Sequence, residues 1–333
     1  MRNTIKIFSF FIAFFWLSKG IGQTPFMSQS FSATNFFNPA AVGFSENNQF
    51  QSFYRNQFSG VGDPFRTLGV GVDFALSRSE ENDWYSNFGV GIQGVSEQVL
   101  NGIMQTNAIT VSVSNRVFLD KYRNSFLSMG ISTTVLTRNV NRNALTFGDQ
   151  YYSGRLFNSS SMETVGDFPA KFSTNGGVMY SYTTPEAFLQ AGASTYFINR
   201  TSNTQPYDNI SQSFQFNTAF NYEQTYNEDK TFFLHANYQK RLEASFLYAG
   251  GAIGLPIRSF YDNNRIYLGC FYRSTDAVVP YVGLLFNKYK IGMTYDIYQN
   301  SMTLSNLHPQ TFEFTLSTNL TSNISKNLKS IFN

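Results

Sequence analysis

Between about Phe50 and Leu316 the chain runs through short segments in which every second residue is aromatic or aliphatic and the residues between are small or polar. Val70, Val72, Phe74 and Leu76 alternate with Gly69, Gly71, Asp73 and Ala75, and Ile109, Val111 and Val113 alternate with Thr110, Ser112 and Ser114. Phe214, Phe216, Thr218, Phe220 and Tyr222 alternate in the same way with Gln215, Asn217, Ala219 and Asn221. A period of two puts the two classes on opposite faces of a strand. The apolar class is drawn from 36 Phe and 20 Tyr, far more than a soluble core uses. An aromatic outer face over a small, polar inner face is the pattern of an all-β, transmembrane, antiparallel up-and-down β-barrel.

Fourteen strands are expected: 49–57, 67–76, 87–97, 104–116, 126–137, 173–183, 187–199, 213–223, 231–240, 244–255, 264–273, 278–287, 290–298 and 311–319. Each is close to the roughly 9–11 residues that cross a bilayer at a tilt. The number is even, so both ends emerge on one side, the periplasm. The longest gaps, 138–172, 200–212 and 299–310, then all face outside, while Thr184-Pro185-Glu186 and Lys288-Tyr289 are tight periplasmic turns. The Ser79-Glu80-Glu81-Asn82-Asp83 connection is longer than this asymmetry prefers. A soluble β-sandwich also alternates, but it would carry Lys and Glu on its wet faces. Charged residues make up only 14% of this chain. Tyr54, Phe58, Tyr196, Phe197, Tyr238, Tyr248, Tyr272, Tyr281 and Tyr298 lie near strand ends, where interface girdles are expected.

The hydrophobic fraction is 42% and the mean hydropathy is negative, which excludes a helical membrane protein but not a barrel. The one long apolar run, Phe8 to Leu17, follows Arg2 and Lys6 and precedes Gly20-Ile21-Gly22, the layout of a secretory signal cleaved before Gln23. Removing 1–22 takes Arg2, Lys6 and Lys19 from 24 basic side chains and leaves 21, against 21 acidic ones. A neutral mature chain has no basic field for nucleic acid. Cys270 is the only cysteine, so no internal disulfide is possible. The expected organisation is a signal peptide over 1–22, a periplasmic N-terminal segment over 23–48, the barrel over 49–319 and a periplasmic tail over 320–333. Leu320, Ile324, Leu328 and Ile331 would line one face of a short helix in that tail. Segment 23–48 is too irregular for a strand and is expected to fold into the periplasmic mouth.

No metal-ligand spacing or phosphate-binding loop is present, and no cofactor is expected. Gly69-Val70-Gly71, Gly89-Val90-Gly91 and Gly250-Gly251 fall inside strands, where glycine leaves room for lumenal groups. His235 shares the lumenal face with Phe233, Asn237 and Gln239. A lipase-like Ser–His–Asn site would need a serine within reach of it, whereas a lone interior histidine more often simply bonds within the wall. His308, before Pro309, reads as a loop residue. Arg55, Asp73, Glu223, Arg273, Asp296 and Glu313 fall on inner faces. If the first and last strands close the barrel, Arg55 meets Glu313 across the seam and Arg273 reaches Asp296. The residues expected to line the lumen or face partners are Arg55, Asn56, Gln57, Arg273, Asp276, Asp296 and Glu313.

The mature start Gln23-Thr24-Pro25-Phe26-Met27-Ser28-Gln29, then Asn38-Pro39-Ala40-Ala41-Val42-Gly43 and Tyr54-Arg55-Asn56-Gln57-Phe58, resembles the opening of the PorP/SprF family. Leu145-Thr146-Phe147-Gly148-Asp149-Gln150 is similar to its mid-chain loop and Gly192-Ala193-Ser194-Thr195-Tyr196 to the strand that follows. Most specific are Tyr272-Arg273 with Asp276-Ala277, Pro280-Tyr281-Val282-Gly283, Ile291-Gly292 with Tyr295-Asp296, and Phe312-Glu313-Phe314-Thr315-Leu316. His308-Pro309-Gln310-Thr311 departs from the family, which tends to have Gly and small residues there. The resemblance implies an outer-membrane barrel of the type IX secretion system of Bacteroidetes, non-enzymatic and without cofactor. It also implies partners: periplasmic secretion components and secreted cell-surface cargo, gliding adhesins among them. A general porin is the alternative, and it predicts an open, charge-lined lumen.

Overall fold

The structure, a computed structural model, describes residues 27–44, 48–76, 87–151, 161–162, 168–198, 215–226, 230–241, 244–257, 264–274, 276–299 and 309–320. The expected signal peptide, His308 and the tail helix beyond Leu320 lie outside the described residues. Fourteen antiparallel strands close into one barrel. They are β1 Gln49–Ser59, β2 Phe65–Ala75, β3 Asn87–Val99, β4 Met104–Phe118, β5 Ser125–Val140, β6 Lys171–Thr183 and β7 Ala187–Tyr196. The second half comprises β8 Gln215–Tyr226, β9 Lys230–Arg241, β10 Ala244–Pro256, β11 Arg265–Arg273, β12 Ala277–Phe286, β13 Tyr289–Tyr298 and β14 Gln310–Asn319. No strand end departs from the sequence expectation by more than three residues. Each strand pairs with its chain neighbours, and β14 closes on β1 with Gln49 opposite Asn319 and Arg55 opposite Glu313.

The period-two pattern sets which face looks out. Ile131 is 68% exposed while its neighbour Ser132 is 5% exposed. Ile109, Val111, Leu234, Leu268, Val282 and Met293 share the outer face with Ile131, and Gln93, Ser114, Thr134, Asn175 and Asn221 share the inner face with Ser132. An apolar belt of that extent is stable against acyl chains, not water. Among the described residues no helix is long and apolar enough to cross a membrane.

The inner wall is not uniformly small and polar. On the β9–β12 side Phe233, Tyr248, Tyr267, Phe271 and Tyr281 are buried and face inward. Tyr248 and Tyr281 therefore do not belong to the interface girdles where the sequence reading placed them, nor does Tyr196, whose hydroxyl reaches Phe36 O inside the barrel. The reason is visible in β12, where Val278, Val282 and Leu284 alternate with Val279, Tyr281 and Leu285. With both faces apolar, parity cannot say which one looks inward.

Two local features fix the rims. Between Asn56 and Ser59 the β1–β14 register slips at a bulge, with Phe58 at φ +62° and its N–H donating to Thr311 Oγ1 at 3.1 Å. In the β4–β5 turn the Asp120 carboxylate accepts from Ser125 Oγ (2.6 Å) and from the N–H groups of Asn124 and Ser125 (2.9 Å each). The Ser125 hydroxyl, followed by the backbone N–H groups, holds the Asp120 carboxyl below its ordinary value. A depressed folded-state value stabilises the turn above the unfolded carboxyl range and loses that stabilisation as pH falls through the folded value. The protection factors of the Asn124 and Ser125 amides, with exchange taken relative to the intrinsic rate at each pH, are accordingly expected to fall at acid pH relative to neutral. Equal protection at both pH values would show that Asp120 does not order the turn.

Candidate functional site: a segment latched inside the lumen

Residues 27–44 cross the interior of the barrel. Three single 3-10 turns, Ser30–Ser32, Thr34–Phe36 and Pro39–Ala41, replace any regular ladder. Asn38 starts the third, its side chain accepting from Ala40 N at 2.9 Å with Pro39 following. An irregular buried segment leaves its backbone groups in need of partners, and the polar wall supplies them. Ser114 Oγ donates to the Val42 carbonyl (2.5 Å), Ser128 Oγ to Ala40 (2.7 Å) and Tyr196 OH to Phe36 (2.9 Å). Gln93 Nε2 donates to Asn35 O at 2.9 Å, Arg116 Nη1 to Phe44 O at 2.7 Å, and Ser194 Oγ to Phe37 O. Asp73 accepts from Gly43 N at 2.8 Å. Each neutral bond contributes about 1 kcal/mol net, but an unmet buried group would cost about 1–3 kcal/mol.

Inward-facing glycines give this segment its space. A Cβ at Gly130 would overlap the Pro39 backbone, one at Gly89 the Val42 carbonyl, and one at Gly177 the Asn38 side chain. Gly192 and Gly292 abut Asn38 and Gln29 in the same manner.

The N-terminal end of the segment is held by charge. Glu313 on β14 receives Ser28 N and Gln29 N, one on each carboxylate oxygen, both at 2.7 Å. Arg55, opposite Glu313 across the seam, donates Nη1 to Glu313 at 3.0 Å and to Ser28 Oγ at 2.9 Å. Its Nη2 reaches Asp296 on β13 at 2.8 Å, and Asp296 also takes Arg273 Nη1 at 2.9 Å. Arg273 Nε bonds Asp276 in the β11–β12 turn. Arg55, Asp296 and Glu313 are at most 2% exposed. In such surroundings the ions fix geometry more than they add net stability.

The aromatic wall holds the next turn. The Phe31 ring lies 4.8 Å from Phe233, 5.4 Å from Tyr281 and 5.6 Å from Phe271. Beyond it, Ser30 Oγ sits 3.0 Å from His235 Nε2, and His235 Nδ1 sits 2.6 Å from Asn221 Oδ1. A serine, a histidine and an asparagine thus stand in a hydrolase-like order. All three are at most 4% exposed, and the adjoining cavity of about 30 Å³ holds roughly one water. No acyl substrate fits there, and the arrangement pins the segment to β8 and β9.

Of the residues expected from sequence, Arg55, Arg273, Asp276, Asp296 and Glu313 come together in one cluster. Asn56 has the opposite strand parity to Arg55, and Gln57 lies in the rim bulge; neither joins it. The partners Ser28, Gln29, Ser30, Asn35 and Asn38 were not expected, nor was the depth at which 27–44 lies. The one sequence signal for them is the row of glycines on inner faces. Among the described residues no His, Cys, Asp and Glu group is arranged to hold a metal ion.

A family model described as type IX secretion system membrane protein PorP/SprF matches residues 20–318. The chain belongs to the PorP/SprF family. A closed barrel with an apolar belt in this secretion family is an outer-membrane protein. No curated protein matches the sequence. Solved structures similar to this PorP/SprF barrel include the toluene transporter TbuX of Ralstonia pickettii, at 10% identity and TM-score 0.48, covering 86% of this chain and 92% of that one. A FadL homologue of Pseudomonas aeruginosa has 10% identity and TM-score 0.48 over 87% and 94%. The P. putida toluene transporter TodX has 10% identity and TM-score 0.44 over 85% and 92%. At these values they say nothing about function.

Proposed function

We propose that this PorP/SprF barrel is a non-enzymatic component of type IX secretion that binds or anchors secreted cell-surface cargo. Its outer loops engage the cargo, and the opposite rim links to periplasmic secretion machinery. The observation that carries this reading is the filled lumen. Residues 27–44 bond to β1 through β7, β9, β13 and β14 and stack on β11 and β12, so their contacts surround them. A diffusion porin needs an open, wet path, and this interior is spent on holding a segment of the chain itself. Binding at the rims is what remains for such a barrel to do, and the family context makes secretion the setting.

Purification of the tagged protein in mild detergent, with mass spectrometry of what accompanies it, tests the proposal. A large secreted surface protein together with a periplasmic secretion component is the expected result. Recovery of neither, with steady single-channel conductance in planar bilayers, would favour the porin.

A further inference from the structure

The lumenal segment has a direction, and both of its ends can be placed along the barrel axis. At one rim lie the connections 141–170, 197–214 and 299–309, while at the other the longest is 76–86. Long connections mark the cell-surface rim of an outer-membrane barrel and short turns the periplasmic one. The odd-numbered strands therefore run outward and the even-numbered ones return.

Phe44 stands at the periplasmic end. Its carbonyl takes Arg116 Nη1, and Arg116 lies opposite Asn87, the first residue of β3. Its ring lies 5.3 Å from Phe126 and 5.9 Å from Phe188, each the second residue of a strand that starts at this rim. Ser28 and Gln29 stand at the opposite end. Glu313, which holds both amides, is three residues into β14 from its outer end at Gln310. Ser28 Oγ also donates to Asp296 at 3.4 Å, two residues before β13 ends. The same cluster continues through Arg273, the last residue of β11, to Asp276 in the outer β11–β12 turn. The chain thus descends from the cell-surface end to the periplasmic end, and only then turns back up as β1.

Three strand residues at about 3.3 Å each, tilted by about 40°, put Glu313 roughly 8 Å below the outer rim. With cleavage before Gln23, residues 23–26 can reach up to about 13 Å. That is enough for the start of the mature chain to clear the outer mouth. β6 and β13 stand half the circumference apart, so the mouth lies between them.

We infer that the start of the mature chain is displayed on the cell surface, at the centre of the outer face, and forms part of the surface on which a secreted protein seats. A partner that touches the outer rim on both sides has to cover it. Residues 23–26 then face the side opposite to the periplasmic one expected from sequence. Display follows from the direction of the segment alone, and only the partner's identity as secreted cargo rests on the proposed function.

The test places a cysteine at position 24 (Thr24→Cys) in a Cys270→Ala background, which removes the only other thiol, and treats intact cells with a membrane-impermeant maleimide. Ser159→Cys in the β5–β6 connection and Ser322→Cys beyond β14 report the two sides. Thr24→Cys should label in intact cells as fully as Ser159→Cys, and Ser322→Cys only after the outer membrane is permeabilised. Labelling of Thr24→Cys only after permeabilisation, or only after heat unfolds the barrel, overturns the inference. Should Thr24→Cys not yield a heat-modifiable barrel, Pro25→Cys carries the same test. A second measurement reads the partner. Purified Thr24→Cys barrel coupled to a bulky polyethylene glycol maleimide should recapture several-fold less secreted surface protein than the uncoupled barrel, with the periplasmic component retained. Unchanged recapture overturns the shared surface. If the natural protein recaptures no secreted protein at all, the secretion reading fails, and display is decided by the labelling alone.

Discussion

Gly130→Val is expected to turn a closed barrel into a conducting one. The position faces inward on β5, and a Cβ there would collide with the Pro39 backbone and the Ala40 amide. The clash is with backbone, so no rotamer change relieves it. Overpacking of this kind costs about 1–3 kcal/mol. The wall cannot retreat, because β5 is laddered to β4 along its length and to β6 from Ser125 to Leu136. The 3-10 turn Pro39–Ala41 is the softer partner and gives way, taking with it the bonds from Ser128 to Ala40 and from Ser114 to Val42. Planar bilayer recordings should show little current for the natural protein and discrete openings for the variant. Steady current through the natural protein, or silence from a folded Gly130→Val barrel, would show that the lumenal segment is not the seal.

Glu313→Ala should be the most destabilising single change in the charge cluster. It removes the acceptor of Ser28 N and Gln29 N together and leaves Arg55 with Asp296 as its remaining carboxylate among these contacts. Breaking one side of a buried ion pair costs about 3–5 kcal/mol. Arg55→Met should also destabilise, and the double variant should lose less than the sum of the two, with a coupling of about 0.5–3 kcal/mol. Urea unfolding in lipid vesicles, followed by the gel shift between folded and heated forms, reads all three. Additive losses within about 0.5 kcal/mol would mean that the two residues act independently.

The barrel was legible in the sequence because lipid enforces its pattern at every strand. A face that meets acyl chains must be apolar at each second residue, and that regularity placed the strands to within a few residues. The seam pair was legible for the same reason: closure sets the first strand against the last, and parity puts Arg55 and Glu313 on the inner face. What lay inside was not. Residues 27–44 have no period, since turns of three residues repeat nothing, and their partners are spread over the whole chain. The inward glycines Gly89, Gly130, Gly177, Gly192 and Gly292 were the trace of a thick object in the lumen, but strand glycine has other meanings as well. Tyr248 and Tyr281 were misplaced because apolar residues fill both faces of their wall, a consequence of Phe31 packing there. Asn56 and Gln57 came from a motif rather than from parity, and geometry separates them from the cluster.

Ser28 touches both Arg55 and Glu313, the residues facing each other where the cylinder finally shuts, and 285 positions separate it from the second of them. The segment before the first strand therefore shares its bonds with the pairing of the first and last strands. Closure without the segment would leave Glu313 its Arg55 partner but not the Ser28 and Gln29 amides, and would leave the Ser114, Ser128 and Ser194 hydroxyls to water. Seating the segment and shutting the seam thus draw on the same two side chains, so each event favours the other.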